Sequence, residues 1–380
     1  MSEYRWRVPL SDIQVDDELV DAVLDTVRSG WWSMGPRVAE LEREFAAFTG
    51  ADHAVAVANG TAALHLALLA VGCGPGDEVV VPSLNFVAVA NAIVHTGAEP
   101  VFCDVTGSDE LNLDPADVEA AVGPRTKAVV TLHYAGYPCA MDAIRAIAER
   151  HRLAVVEDAA HAPGASLHGR MCGTLGDVGC FSFFSNKNLP VGEGGMIATG
   201  DEGLAERLRL LRSHGMTTLT WDRHRGHASS YDVVLPGFNY RLDEVRAAVG
   251  LVQLRRLPEE NAGRGRFAAR YREALDGERG LTMPFGDGDR ARVSSHHLAV
   301  VLLPEGSDRD EVRAALEAER VQTSVHYPPI HAFTQYRSSA GRRELPHTDA
   351  VAKRLLTLPL YGRMSDDQVD AVITALLGAL

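Results

Sequence analysis

Apolar positions recur along this chain with two different periods, and the switches between them lay out its elements. Residues 17–30 (DELVDAVLDTVRSG) and 37–50 (RVAELEREFAAFTG) are amphipathic at helical spacing, and each closes on Gly, the usual helix terminator. The aromatic and Gly/Pro-rich link WWSMGP separates them. From residue 53 to about 199, short and nearly unbroken apolar runs alternate with helical stretches: HAVAV with TAALHLALLA, VVVP with FVAVANAIVHTG, EPVFCDV with DPADVEAAV, KAVVTLH with MDAIRAIAERHR, then LAVVEDAA. Strands that are apolar on both faces must be covered on both faces. The pattern therefore predicts an α/β fold with a mostly parallel sheet between helices.

After residue 177 the pattern changes to two short strands, DVGCFSFF and GGMIAT, with no long helix between them. A charged helix over 202–213, a polar His- and Arg-rich loop over 221–232 and a long helix from 243 to about 275 follow. From about 281 the chain offers one strand (HHLAVVLL), a helix (DRDEVRAALEAER), a second strand (VQTSVHY) and terminal helices. That is the pattern of a small α/β domain. The expected organisation is a large domain over 1–250 with N-terminal helices and a small C-terminal domain over 251–380, joined by the long helix.

With 380 residues there is ample chain for two such units. Hydrophobic residues make up 46% and charged residues 23%, which excludes a disordered or fibrous protein. The net charge of −14 argues against non-specific binding to nucleic acid or anionic membrane. MSEYRWRVPL has no apolar core of the kind a signal peptide needs, and runs such as 62–71 are too short to span a bilayer. Five cysteines without a CxxC pair fit free thiols in a reducing cytoplasm. The histidines show no HExxH spacing, so no metal site is expected. One count sharpens the chemistry: only Lys127, Lys187 and Lys353 are lysines, so a reaction that needs a primary amine has three candidates.

Parallel sheets place ligands at the carboxyl ends of their strands. LAVVED delivers Glu157 and Asp158 there, where an acid is costly unless it meets a cation or donors; a capping Asp is the simpler alternative. Asn59-Gly60-Thr61-Ala62-Ala63 stands between a strand and a helix, where free N–H groups and a hydroxyl suit a phosphate, although the same residues make good turn and cap chemistry. Ser182-Phe183-Phe184-Ser185-Asn186-Lys187 leads into Gly192-Glu193-Gly194-Gly195. A lysine usually marks solvated surface, but one flanked by aromatics and glycines can lose its proton and attack an aldehyde. Acid, phosphate cradle and nucleophilic lysine are together what pyridoxal phosphate requires. Phe86, in PSLNF, is placed to cover the ring of such a cofactor, or simply to pack in the core.

Here the chain resembles a family. NGTAAL, PSLNF, HYAGYP, VVEDAAHAPGA, SFFSNKN with GEGGM, and LRSHGM followed by GFNYRLDEVRAA match, in order, the motifs of DegT-type sugar-nucleotide aminotransferases, from about residue 8 to 375. The resemblance implies pyridoxal-phosphate fold type I, with a seven-stranded sheet in the large, cofactor-binding domain. It implies Lys187 as the lysine that joins the cofactor, Asp158 as the partner of the pyridine nitrogen, and His161 on the ring hydroxyl oxygen. Gly60, Thr61, Ala62 and Ser182 would hold the phosphate, Phe86 would stack on the ring, and Asn239 would arrive from the second subunit of a homodimer with shared sites. Relatives with His in place of the lysine act as dehydratases, and Lys187 argues against that branch.

The implied reaction moves an amino group from L-glutamate to a ketone on a nucleotide-linked hexose. EDAAHA, with His161, is similar to the branch that aminates C4, which favours a 4-keto-6-deoxyhexose, dTDP-4-keto-6-deoxyglucose before a UDP sugar. A C3 ketosugar or cyclitol ketone of antibiotic pathways is the alternative within the family. Tyr240 and Arg241, beside Asn239, and His326 and Tyr327, in VHYPPIH, are candidates for the sugar pocket. Arg207, Arg209, Arg212, Arg255 and Arg256 read as solvated helix faces, while Arg223 and Arg225 remain candidates for the substrate diphosphate. Two other classes compete: a pyridoxal-phosphate enzyme acting on amino acids alone, and a non-catalytic sugar sensor.

Overall fold

The structure is a computed structural model that describes residues 6–218, 230–286, 291–340 and 343–380. The two N-terminal helices form as their sequences predict. Helix α1 (Asp17–Arg28) is capped by Asp16, whose carboxylate accepts the Leu19 N–H, and α2 (Pro36–Thr49) stops at Gly50 in the left-handed region.

The sheet has seven strands: β1 (His53–Val57), β2 (Glu78–Pro82), β3 (Glu99–Cys103), β4 (Thr126–Leu132), β5 (Ala154–Asp158), β8 (Val178–Ser182) and β9 (Gly195–Thr199). Two-residue strands β6 (Ser166–Leu167) and β7 (Arg170–Met171) lie outside it and pair with β10 (Arg292–Val293). The order across the main sheet is β1-β9-β8-β5-β4-β2-β3. Neighbours from β3 to β8 run parallel, and β9 is antiparallel to both β8 and β1. Sequence order runs one way from β2 to β3 and the other way from β4 to β8. The carboxyl ends of β2 and β4 therefore flank a crevice that their connections leave open.

Helices cover both faces. Helices α3 (Gly60–Ala70), α4 (Ala88–Thr96) and α7 (Glu202–Arg212) pack on one face, through Leu66, Leu68, Ile93 and Leu208. On the other face lie α2, α5 (Pro115–Ala121), α6 (Met141–His151) and the first half of α8 (Glu244–Leu275), through Leu41, Phe45, Val118, Ile144 and Leu254. Helix α8 is 32 residues long and contains Pro258. Before that proline its apolar residues, to Leu257, enter the sheet's core. After it, Phe267, Tyr271 and Leu275 enter a separate core with Val8, Val301, Leu356 and Val369. The expected division at 250/251 falls inside this helix, and the second core also takes in the N-terminal Val8.

One expected element is replaced. Residues 321–327 (VQTSVHY) make only isolated bridges, Val321 with Val8 and Ser324 with Thr357. The partner of β11 (Ala299–Leu302) is instead β12 (Leu355–Leu358), expected within the terminal helices. VQTSVHY runs directly into Pro328 and Pro329, which offer no N–H to a ladder. LLTL follows the helix Pro346–Arg354 without a break, so the helical period masks it, yet all four residues are buried.

Candidate active site

The carboxyl ends of β4, β5 and β8, the loop after β2 and the start of α3 enclose a cavity of about 420 Å³, within the range of small-molecule sites. Asn59, Gly60, Thr61, Asn85, Phe86, Asp158, His161, Ser182, Lys187, His326 and Tyr327 line it.

At one end is the N-terminus of α3. Asn59 caps the helix by accepting the Ala62 N–H at 2.8 Å, and its carbonyl takes the Ala63 N–H. The N–H groups of Gly60 and Thr61 keep no such partner among the described residues, and both line the cavity with the positive end of the helix dipole behind them. Gly60 is required by packing: a Cβ there would stand 2.8 Å from the Ser182 Cβ. This is an anion cradle. The Ala62 amide, expected to serve it, is already engaged by Asn59, because a side-chain cap satisfies the third free N–H of the helix.

Deeper in, Asp158 accepts the Ala160 N–H at 3.2 Å and an Asn85 Nδ2–H at 3.4 Å. Burial raises its pKa above the usual carboxylate range, opposed by the Ala160 N–H, Lys187 and Asn85. Glu157 does something different. It accepts N–H groups from Gly173, Leu175 and Gly176 at 2.6–2.7 Å and lies 2.7 Å from His133 Nε2. Of the two acids at this strand end, one braces a turn and the other faces the cavity.

Lys187 follows β8 in the turn that the Phe184 carbonyl closes onto its N–H at 2.9 Å. Its amine is pushed down to about 8, because desolvation outweighs the attraction of Asp158. His161 accepts the Ala135 N–H on Nδ1 at 3.3 Å, so the neutral ring carries its hydrogen on Nε2, 2.8 Å from the Tyr327 hydroxyl. Burial and the Lys187 charge keep this imidazole neutral by lowering its pKa well below 6.5. His326 is lowered to about 4 by burial, then by Lys187. Phe86 is 55% exposed, too open for a core residue, and its ring centroid lies 5.7 Å from that of Tyr327.

The structure does not bring Asn239, Tyr240 and Arg241 to this cavity. Asn239 bridges Ser213, Arg241 bridges Val57, and the Tyr240 hydroxyl lies 3.4 Å from His65 Nδ1. Arg223 and Arg225 lie outside the described residues. Arg255 and Arg256 pair with Glu18 and Asp16. Arg212 corrects the reading of its helix as a solvated face: it is 2% exposed, pairs with Glu42 and donates to the Ala56 carbonyl at 2.9 Å. His297 escaped sequence reasoning. Buried, its Nε2 lies 3.4 Å from Lys187 Nζ, and the sequence signals it only as one of two histidines entering an apolar strand. Asn186 escaped as well, and its buried Oδ1 at the cavity wall has no hydrogen-bond partner among the described residues.

The residues present fit a pyridoxal-phosphate group: an amine with a lowered pKa, a buried carboxylate, an anion cradle and an open aromatic face share one cavity. Fold and site are those of a fold type I, pyridoxal-phosphate-dependent aminotransferase. The chain belongs to the DegT/DnrJ/EryC1/StrS aminotransferase family, whose model matches residues 13–377. It is 46% identical over 375 residues, 97% of this chain and 96% of the relative, to the spore coat polysaccharide biosynthesis protein SpsC of Bacillus subtilis (strain 168). The crystal structure of S. venezuelae DesV in complex with a ketimine intermediate is similar at 38% identity and a TM-score of 0.90, covering 98% of both chains. The putative sugar aminotransferase Spr1654 of Streptococcus pneumoniae, in its PMP-form, is similar at 28% identity and a TM-score of 0.91, covering 98% of this chain and 99% of that one.

Proposed function

We propose that this chain is a sugar aminotransferase that binds pyridoxal phosphate and moves an amino group from L-glutamate to the C4 ketone of a nucleotide-linked 4-keto-6-deoxyhexose, dTDP-4-keto-6-deoxyglucose being the first candidate. The observation that carries the reading is the meeting of Lys187 and Asp158 in one cavity with the Gly60–Thr61 cradle. When bound, the cofactor supplies an aldehyde for the amine and a ring that accepts electrons. The chain's own residues do the rest. Gly60 and Thr61 N–H groups and the Ser182 hydroxyl hold the phosphate, and Phe86 covers one ring face. Asp158 keeps a proton on the ring nitrogen, and His161 offers its Nε2–H to the ring oxygen in place of Tyr327.

Lys187 Nζ is the proton carrier. With a pKa of about 8, about one amine in ten is neutral at pH 7, enough to take a proton from a substrate carbon and return it. His326 and Tyr327 line the same cavity and are proposed to contact the sugar.

The sugar reading draws support from relatives named for sugar amination and polysaccharide biosynthesis, and the C4 preference from His161 in EDAAHA. SpsC is named for a coat polysaccharide, which favours a cell-surface polymer over an antibiotic as the destination. We further infer a homodimer, in which Asn239, Tyr240 and Arg241 reach the partner's cavity. A cytoplasmic location fits five buried cysteines without a disulfide, and among the described residues no helix is long and apolar enough to cross a membrane. A turnover screen of keto-sugar nucleotides with glutamate, reading the position of the new amine, tests the proposal. A 4-amino product is expected, and reaction of 3-keto substrates alone would overturn the C4 assignment.

A further inference from the structure

We propose that His297 is a positioning residue for Lys187: an unprotonated Nε2, whose tautomer is set by a buried amide relay, receives the lysine amine and fixes its direction in the cavity. The inference rests on the reading of Lys187 as the reacting amine.

The relay starts at a main-chain carbonyl. Asn261 Nδ2 donates to the Pro163 carbonyl at 2.9 Å, which leaves Asn261 Oδ1 to accept from Asn188 Nδ2 at 2.8 Å. Asn188 Nδ2 also donates to the Ser295 carbonyl at 2.8 Å. Both amide hydrogens are therefore engaged, and Asn188 Oδ1 is the atom that faces His297 Nδ1 at 2.9 Å. An amide oxygen only accepts, so Nδ1 carries the imidazole hydrogen. In a neutral ring Nε2 is then a lone pair, and Lys187 Nζ is 3.4 Å from it. The main chain holds the ring in place, because the His297 N–H donates to the Ala135 carbonyl at 2.8 Å.

The surroundings keep the imidazole neutral. It is buried, the His161 ring centroid lies 4.5 Å away, and Arg264 reaches the His297 carbonyl at 3.4 Å. Burial first, then the Lys187 charge, followed by repulsion from His161 if protonated, from Arg264 and from His326 if protonated, holds its pKa well below 6.5. Asp158, at the carboxyl end of the neighbouring parallel strand β5, is the acid that attracts Lys187. A lysine amine sits on a flexible four-carbon stem and needs a fixed acceptor to keep one direction while it exchanges protons. His297 supplies that acceptor without competing for the proton. Purely structural packing of the same ring would affect stability and leave the titration of the amine where it is.

The test uses the full chain freed of cofactor. Lys187 is acetylated with acetic anhydride across a pH series and followed by peptide mass spectrometry, with Lys127 and Lys353 as internal controls. The unsubstituted chain is expected to show a Lys187 midpoint near 8. In His297→Leu the midpoint falls by about one pH unit, because the ammonium loses an acceptor, and His297→Gln restores part of the shift. The control lysines stay unmoved. An unchanged Lys187 midpoint in folded His297→Leu overturns the proposal.

If that variant does not fold, nitrogen-15 spectra of histidine in the unsubstituted chain decide. Among the rings perturbed by Lys187→Met, one neutral ring protonated on Nδ1 is expected beside the Nε2-protonated His161; the absence of any Nδ1-protonated neutral ring among them overturns the proposal. Failure of the chain to develop a visible absorbance with pyridoxal phosphate, with the midpoint shift intact, would sink the cofactor reading and leave this one standing.

Discussion

Glu157 and Asp158 are adjacent on β5 and serve opposite sides of it: Glu157 accepts three backbone N–H groups and contacts His133, while Asp158 lines the cavity. Side chains alternate across a strand, so consecutive acids must diverge. Two substitutions separate their roles. Glu157→Ala leaves three buried donors without an acceptor and is expected to cost about 3 kcal/mol or more of stability, read as a lower urea midpoint, with the visible cofactor band retained. Asp158→Asn is expected to fold, to bind cofactor more weakly and to lose about 100-fold or more in kcat, the usual effect of removing one preorganised electrostatic group from a reaction site.

Lys187→Ala should abolish the visible band that pyridoxal phosphate gives with the unsubstituted protein and lower kcat by at least about 10²–10⁴, the usual contribution of a positioned proton carrier. Absorbance spectra and single-turnover kinetics read the two effects separately. A variant that keeps the band would place the reactive amine at Lys127 or Lys353.

Gly60→Ala pushes a Cβ to 2.8 Å from the Ser182 Cβ and to 3.3 Å from its Cα. Moving β8 or the start of α3 apart disturbs the cradle. Overpacking of about 1–3 kcal/mol corresponds to roughly a 5- to 150-fold rise in the cofactor Kd, measurable by fluorescence titration. The fold is expected to survive, since the cradle is at the cavity wall.

The lysine also sets a pH window for stability. Its pKa falls from 10.5 unfolded to about 8 folded, so between these values the unfolded chain binds more protons. Stability of the cofactor-free protein therefore rises with pH across that interval, by on the order of 3 kcal/mol from this group, and is lowest with respect to it below pH 8. Urea midpoints from pH 8 to 10.5 should show the rise, and Lys187→Met should flatten it.

His326 acts at the acid side. Its pKa is 6.5 unfolded and about 4 folded, so its contribution is fully present above pH 6.5 and lost as the pH falls toward 4. The acid limb of the stability profile is expected to steepen in that interval, and His326→Gln to make it shallower.

Much of this was legible along the chain. The alternating strands and helices from 53 to 199 follow from apolar periodicity, and each of the seven strands lies where its apolar run is. Lys187, Asp158 and the Gly60–Thr61 turn stood out because their residue types conflict with their surroundings: a lysine among aromatics, an acid ending a buried strand. LLTL at β12 was hidden by the helix running into it, and VQTSVHY failed as a strand because Pro328 and Pro329 end its ladder. His297 and Asn188 carry no local signal, since a histidine beside a strand reads the same whether its neighbour is solvent or an amine more than a hundred residues earlier.

The chain alone determined the type and order of its elements and the few groups able to do amine chemistry, because periodicity, turn residues and scarcity of lysine are local properties. Only the tertiary structure decided which acid faces the cavity, that the Ala62 amide is already capped, that Arg212 is buried, and that the Asn261–Asn188–His297 relay ends at Lys187. Those outcomes depend on hydrogen bonds between residues far apart in the chain, whose partners no local pattern specifies.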